Sequence, residues 1–141
     1  MQPIIEFLVQ HWVLSSAFVT VLVLMALNEL WTALRGEKQL PPLDAVRLIN
    51  DQNPVVLDAR GPAEFKKGHI LNAINIPAAR IEERVSELAK YKERPILCYC
   101  ALGTASPQAC VRLRKLGFAT VYSLKGGLNA WQGASLPVTT K

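Results

Sequence analysis

No lysine or arginine precedes Arg35, so the chain lacks the basic leading region that a cleaved secretory signal requires. Glu6 and Glu29 are the only acids in that stretch, and all 16 basic residues lie with the other nine acids in residues 35–141. The basic excess of that part suits an anionic membrane surface. Its Lys and Arg occur singly or in pairs such as Lys66-Lys67, without a dense patch interleaved with aromatics, so nucleic acid is not an expected partner. Cysteine is scarce and odd in number: Cys98, Cys100 and Cys110. Two positions on an extended strand make a poor disulfide between the first two, so free thiols and a reducing compartment are expected. No cysteine or histidine pair shows zinc spacing, so no metal is expected.

The segment from Trp12 to Leu27 contains no charge, and extending it to Trp31 adds only Asn28 and Glu29 at one end. Twenty residues of helix cover about 30 Å, the thickness of a bilayer's hydrocarbon core, and a Trp stands at each end where the headgroups lie. Ser15, Ser16 and Thr20 can bond back to the helix. A signal peptide would need a small-residue cleavage site where this sequence reads MALNELW, and a core helix would need a polar face that Ala17 to Leu27 almost lacks. The reading is a transmembrane anchor over residues 1–34, with the lipid bilayer as a partner. Arg35, Lys38 and Arg47 follow the span and nothing basic precedes it, which places the C-terminal domain in the cytoplasm. Residues 35–42, RGEKQLPP, read as a short stiff linker, and residues 43–141 as the domain.

Within the domain, LDAVRLIN predicts a short amphipathic helix stopped by Asp51, Asn53 and Pro54. PVVLDAR reads as a buried parallel strand running into charged Asp58 and Arg60. A short strand is expected near Ala73 to Ile76, and a helix over IEERVSELAKY with Ile81, Val85, Leu88 and Tyr91 facing inward. Pro95 to Tyr99 reads as a strand that delivers Cys100 to its end. After the loop ALGTAS, Ser106 reads as an N-cap and Pro107 as the first residue of a helix ended by Gly117. A strand near Val121 to Leu124, a Gly126-Gly127 turn and a short helix with Ala130 and Trp131 complete the chain. This alternation predicts an α/β domain with a mainly parallel central sheet covered by helices on both faces, its ligand sites at the strands' carboxyl ends.

Cys100 follows a buried strand, opens a loop of small uncharged residues and precedes a helix N-terminus, and each feature favours the thiolate. Its sulfur is expected to lie exposed at the end of the sheet, ringed by inward-pointing amides, with Gly103 supplying conformational freedom. A cysteine serving only the core would not need this arrangement.

Five motifs in order resemble the rhodanese family: LDAR at 57–60, EFKKGHI at 64–70, NAINIP at 72–77, Cys-x-x-Gly at Cys100 to Gly103, and GFATVYSLKGGLNAW at 117–131. The likeness covers about Leu43 to Pro137. It implies a sulfurtransferase: Cys100 attacks a sulfane sulfur, carries it as a persulfide and passes it to a thiol or other nucleophilic acceptor, without metal or organic cofactor. It also implies that Ala101, Leu102, Gly103, Thr104, Ala105 and Ser106 form the substrate-binding cradle. A Cys-x5-Arg phosphatase loop would need Arg where Ser106 stands. Less specifically, the layout resembles bacterial proteins of the YibN type, with one hydrophobic span before one rhodanese domain, which implies a single-pass protein of the bacterial inner membrane.

The chain departs from the family in one respect: many members carry Arg as the sixth loop residue, and here it is Ala105. Without that cation an anionic donor such as thiosulfate would bind through backbone dipoles, so persulfide donors, small or protein-borne, stand beside it. Ala105 also supports the alternative of a non-catalytic rhodanese-like module that meets a membrane-protein partner. His69, tempting as a base, reads as structural, as does Asp58. Arg60 and Glu64 are expected to pair across the turn, Cys98 and Cys110 to pack in the core, and Trp131 to anchor apolar neighbours.

Overall fold

The computed structural model describes residues 1–34 and 38–140. The chain divides into two units, Met1–Gly36 and Glu37–Lys141. In the first, α1 (Gln2–Gln10) is followed by α2 (Trp12–Leu34). Within α2, Ser16 Oγ donates to the Val13 carbonyl at 2.9 Å and Thr20 Oγ1 to the Ser16 carbonyl at 2.8 Å, so both hydroxyls are satisfied along the helix itself. Trp12–Trp31 has a mean hydropathy of 1.9 and none of it is buried against protein. By length and composition this helix can cross a membrane, and it lacks the protein burial of a core helix.

The second unit contains β1 (Lys38–Leu40), α3 (Pro42–Gln52), β2 (Val55–Asp58), α4 (Pro62–Lys67), β3 (Ile74–Asn75), β4 (Ile96–Tyr99), α5 (Ser106–Lys115), β5 (Val121–Leu124) and α6 (Gly127–Gly133). All neighbouring strands are parallel, in the order β1-β5-β4-β2-β3, so the strand that precedes Cys100 is the central one. Side-chain alternation along the buried strands sends residues to two faces. Val55, Leu57, Ile96, Cys98 and Val121 pack with Ala109, Cys110 and Leu113 of α5. Val56, Leu97, Tyr99 and Leu124 pack with Ala45 and Leu48 of α3 and Leu128 and Trp131 of α6. Burying a side chain such as Leu97 or Ile96 stabilises the fold by about 2 kcal/mol, so the sheet is held from both sides.

Three expectations are corrected here. Lys38–Leu40, assigned to the linker, is an edge strand in register with Tyr122 to Leu124; Arg35 to Glu37 of that linker lie outside the described residues. The segment expected as one helix over IEERVSELAKY instead holds two short 3₁₀ turns, Val85–Glu87 and Ala89–Tyr91, preceded by a third at Ala78–Arg80. Bonds from Glu87 to Arg84, Leu88 to Val85 and Tyr91 to Leu88 close this tighter winding. Arg84 locks it by a two-pronged pair with Glu87, at 2.6 and 2.8 Å, and a bond to the Asn75 carbonyl at 3.1 Å. Ile81 and Leu88 are nevertheless fully buried, because a spacing that marks a helix face also serves consecutive turns. Finally, Ser106 is the first residue of α5 rather than its cap, and its hydroxyl turns elsewhere.

Candidate functional site

Parallel strands β2 and β4 are in register with Asp58 beside Tyr99, so both release their next residues at the same end of the sheet. Beyond β4 lies Cys100, and beyond that the exposed residues Ala101 and Leu102. Gly103 N–H donates to Cys100 Sγ at 3.0 Å, and the amides of Ala105 and Ser106 also bond it. Burial alone would raise the thiol's pKa, but the Ser106 and Ala105 amides, the Ser106 hydroxyl and the Gly103 amide outweigh it, and Cys100 ends below the ordinary thiol range. The expectation of an exposed sulfur is corrected here: Cys100 is buried, only 5% exposed, because the loop whose amides bond the sulfur folds around it.

Of the six loop residues singled out from the sequence, Gly103, Ala105 and Ser106 turn polar groups to the sulfur. Ala101 and Leu102 instead form the exposed rim, and Leu102 is 63% exposed. Thr104 is exposed.

Ser106 does more than the sequence suggested. It is fully buried, its Oγ lies 3.7 Å from Sγ and 2.8 Å from Ser123 Oγ, and Ser123 is itself buried on β5. With Cys100 ionised, Ser106 donates to the sulfur and Ser123 donates to Ser106, so Ser123 fixes the orientation of the hydroxyl that meets the charge. The only sequence signal for Ser123 was a polar residue in an otherwise apolar strand.

A second feature escaped the sequence reading: the Gly126-Gly127 turn is the back wall of the loop. The N–H of Leu128 donates to the Cys100 carbonyl at 2.8 Å and that of Asn129 to the Ala101 carbonyl at 3.0 Å. Gly127, at φ +60, lies so close that a Cβ there would strike the Cys100 carbonyl oxygen, with Gly103 N at 2.7 Å. Gly103, at φ +81, faces the turn in return, and its Cβ would meet Gly126 N at 2.8 Å. Both positions combine left-handed backbone with no room for a side chain.

The neighbouring strand end is built differently. Asp58 is fully buried and accepts from Arg60 Nη2 at 2.7 Å, Arg60 Nε at 3.0 and 3.1 Å, Arg60 N–H at 2.9 Å and Tyr99 OH at 2.7 Å. Arg60 Nη2 also donates to the Gly68 carbonyl at 2.6 Å. Arg60 therefore pairs chiefly with Asp58, and the expected partner Glu64 stands at 4.0 Å. Burial, reinforced by the Asp58 carboxylate, pushes the Tyr99 phenol well above its usual range, keeping it a donor.

His69 is structural, as anticipated: its Nδ1 lies 2.9 Å from the Phe65 carbonyl, its ring stacks on Phe65 at 3.7 Å, and its backbone bridges Thr139. Cys98 is sealed in the core, as expected, beside the Cys110 thiol, which with burial raises its pKa well above the ordinary value. Trp131 is buried, with Nε1 donating to the Pro137 carbonyl at 2.9 Å. Among the described residues no group of acids, histidines and cysteines could hold a metal ion.

A parallel five-stranded sheet that presents a cysteine in an amide-lined loop at the end of its central strand defines the rhodanese class, and the profile of the family described as Rhodanese-like domain matches residues 42–134. The chain belongs to that family. It is 34% identical to the uncharacterized protein YibN of Escherichia coli (strain K12) over 139 residues, 98% of this chain and 97% of that protein. It is 37% identical to thiosulfate sulfurtransferase GlpE of Coxiella burnetii (strain RSA 331 / Henzerling II) over 95 residues, 67% of this chain and 87% of that protein. The crystal structure of a rhodanese-related protein from Thermoplasma volcanium superposes with a TM-score of 0.66 at 29% identity, covering 74% of this chain and 99% of that one. The domain and its sulfurtransferase-named relatives support sulfur transfer as the general chemistry.

Proposed function

We propose that the protein is a membrane-anchored sulfurtransferase that carries sulfane sulfur as a persulfide on Cys100. The observation that carries this reading is the placement of three loop amides and one hydroxyl around the sulfur at the end of the central strand, an arrangement that favours the thiolate. The thiolate attacks the outer sulfur of a thiosulfate- or persulfide-type donor, and the donor's sulfite or thiolate leaves with the bonding pair. An acceptor nucleophile then takes that sulfur from the Cys100 persulfide and the Cys100 thiolate departs. Amides that favour negative charge on the resting sulfur also favour it on the leaving thiolate, so one cradle serves both steps. A loop without a guanidinium favours singly charged or protein-borne persulfides over dianionic thiosulfate.

The test is mass spectrometry after exposure to thiosulfate and to a persulfide donor: wild type gains one sulfur atom and Cys100→Ser gains none. Failure of every donor class would defeat the reading and favour a non-catalytic module that meets membrane proteins. The anchor is tested separately. The full chain is expected in the inner-membrane fraction, with Cys100 labelled by thiol reagents only from the cytoplasmic side, and removal of residues 1–34 should release the domain.

A further inference from the structure

The anchor unit holds more helix than one membrane crossing uses. Trp12–Trp31 alone covers about 30 Å of hydrocarbon, whereas a straight rod from Gln2 to Leu34 would run about 50 Å. The chain is not one rod: between α1 and α2, His11 has φ −117 and ψ 42, outside the helical region, so the direction can change there. His11 N–H donates to the Phe7 carbonyl at 3.0 Å and the two rings lie 4.7 Å apart, which closes α1 before α2 begins.

The two helices also differ in pattern. From Trp12 to Leu27, α2 carries no charge and offers no polar face, as a span requires. On α1, Glu6 and Gln10 are four residues apart and share one side, while Ile4, Ile5 and Phe7 are turned from it. These three are 65%, 59% and 60% exposed, so the described protein leaves the apolar side uncovered. Prolonging the span in a straight line would carry that side into water. Laying α1 flat at the bilayer surface buries it and keeps Glu6 and Gln10 wet. What covers it follows from continuity, since α1 ends one residue before the lipid-spanning helix.

We infer that α1 is an interfacial helix: it lies in the plane of the membrane, in the leaflet where α2 begins, with Ile4, Ile5 and Phe7 among the upper acyl carbons. The inference rests on α2 crossing the bilayer. Glu6 is the only charged side chain of α1 and no cation accompanies it. The helix is therefore held by apolar burial, and anionic head groups add nothing to its attachment.

The experiment places the full chain in phosphatidylcholine nanodiscs and reads the loss of backbone amide NMR intensity caused by three probes. These are a lipid spin-labelled near the head group, a lipid labelled at the chain end, and a water-soluble gadolinium chelate. Amides from Ile4 to Val9 should lose intensity evenly to the head-group label and little to the chain-end label, whereas those from Val19 to Val23 should show the reverse. Ile5→Gln combined with Phe7→Gln should abolish the loss in α1, expose its amides to the chelate and leave α2 unchanged. Replacing part of the lipid with phosphatidylglycerol should leave the pattern as it was. Four results would overturn the inference: α1 reached by the chelate alone in the unsubstituted chain, a depth gradient running unbroken from α2 into α1, protection of α1 from all three probes, as a second copy of the chain would give, or lipid contact that survives the double substitution. Stronger contact in the phosphatidylglycerol discs would overturn the apolar account of the attachment. Absence of chain-end loss in α2 would overturn the membrane anchor itself, and the inference with it.

Discussion

Two adjacent strands of one sheet deliver an ionisable group at the same end, Asp58 as the last residue of β2 and Cys100 just past β4, and the two are handled in opposite ways. At the end of β2, Asp58 is neutralised by a forked guanidinium and a phenol. One residue beyond β4, Cys100 is met among the described residues by amides and a hydroxyl. A charge held by an ion pair is satisfied and inert, and it fixes the loop that follows it. A charge held by backbone dipoles keeps its lone pairs available, because nothing of opposite charge competes with an incoming electrophile. The same sheet geometry thus yields a structural lock and a nucleophile side by side, and the difference lies in what the next few residues bring.

Substitutions should separate the two. The largest effect is Cys100→Ser, which should abolish persulfide formation by mass spectrometry without altering the melting curve. Asp58→Asn leaves the Arg60 guanidinium buried beside a neutral group and should cost about 3–5 kcal/mol in denaturant unfolding; a change below the size of a surface substitution would show that the lock is dispensable. Gly127→Ala drives a methyl group into the Cys100 loop, and a displacement of about 1 Å should lower the sulfur-loading rate about 100-fold. Ser106→Ala removes a hydroxyl bond to a charged group and should slow loading about tenfold at neutral pH. Since the cradle lowers the thiol's pKa, reactivity falls as pH drops through that lowered value, and Ser106→Ala should move the midpoint upward. Ser123→Ala, one bond further out, should move the midpoint the same way but lower the rate only about threefold, the loss expected from a neutral hydrogen bond.

Much of this arrangement was legible in the sequence. Val55 to Asp58, Ile96 to Tyr99 and Val121 to Leu124 are apolar runs short enough for buried strands, and the Cys-loop-Pro107 pattern marks where a strand gives way to a helix. The edge strand Lys38–Leu40 was hidden because its side chains are polar or half-buried, and its place depends on pairing with a strand more than 80 residues away. The 3₁₀ turns after Pro77 were hidden because Ile81 and Leu88 satisfy helical spacing, while the decisive bonds of Arg84 depend on where Asn75 falls. Likewise, Ser123 and Gly127 gain their roles only when β5 and α6 are set against the Cys100 loop, a juxtaposition that local spacing does not encode.

The most direct test is the pH dependence of Cys100 alkylation by iodoacetamide, read by mass at that residue alone, since Cys98 and Cys110 are wholly enclosed while Cys100 keeps 5% exposure and amide donors that favour its thiolate. A midpoint below that of a free thiol, rising in Ser106→Ala, is the predicted result. A midpoint at or above the free-thiol value would mean that burial defeats the amides, and Cys100 would then be a core cysteine rather than a sulfur carrier.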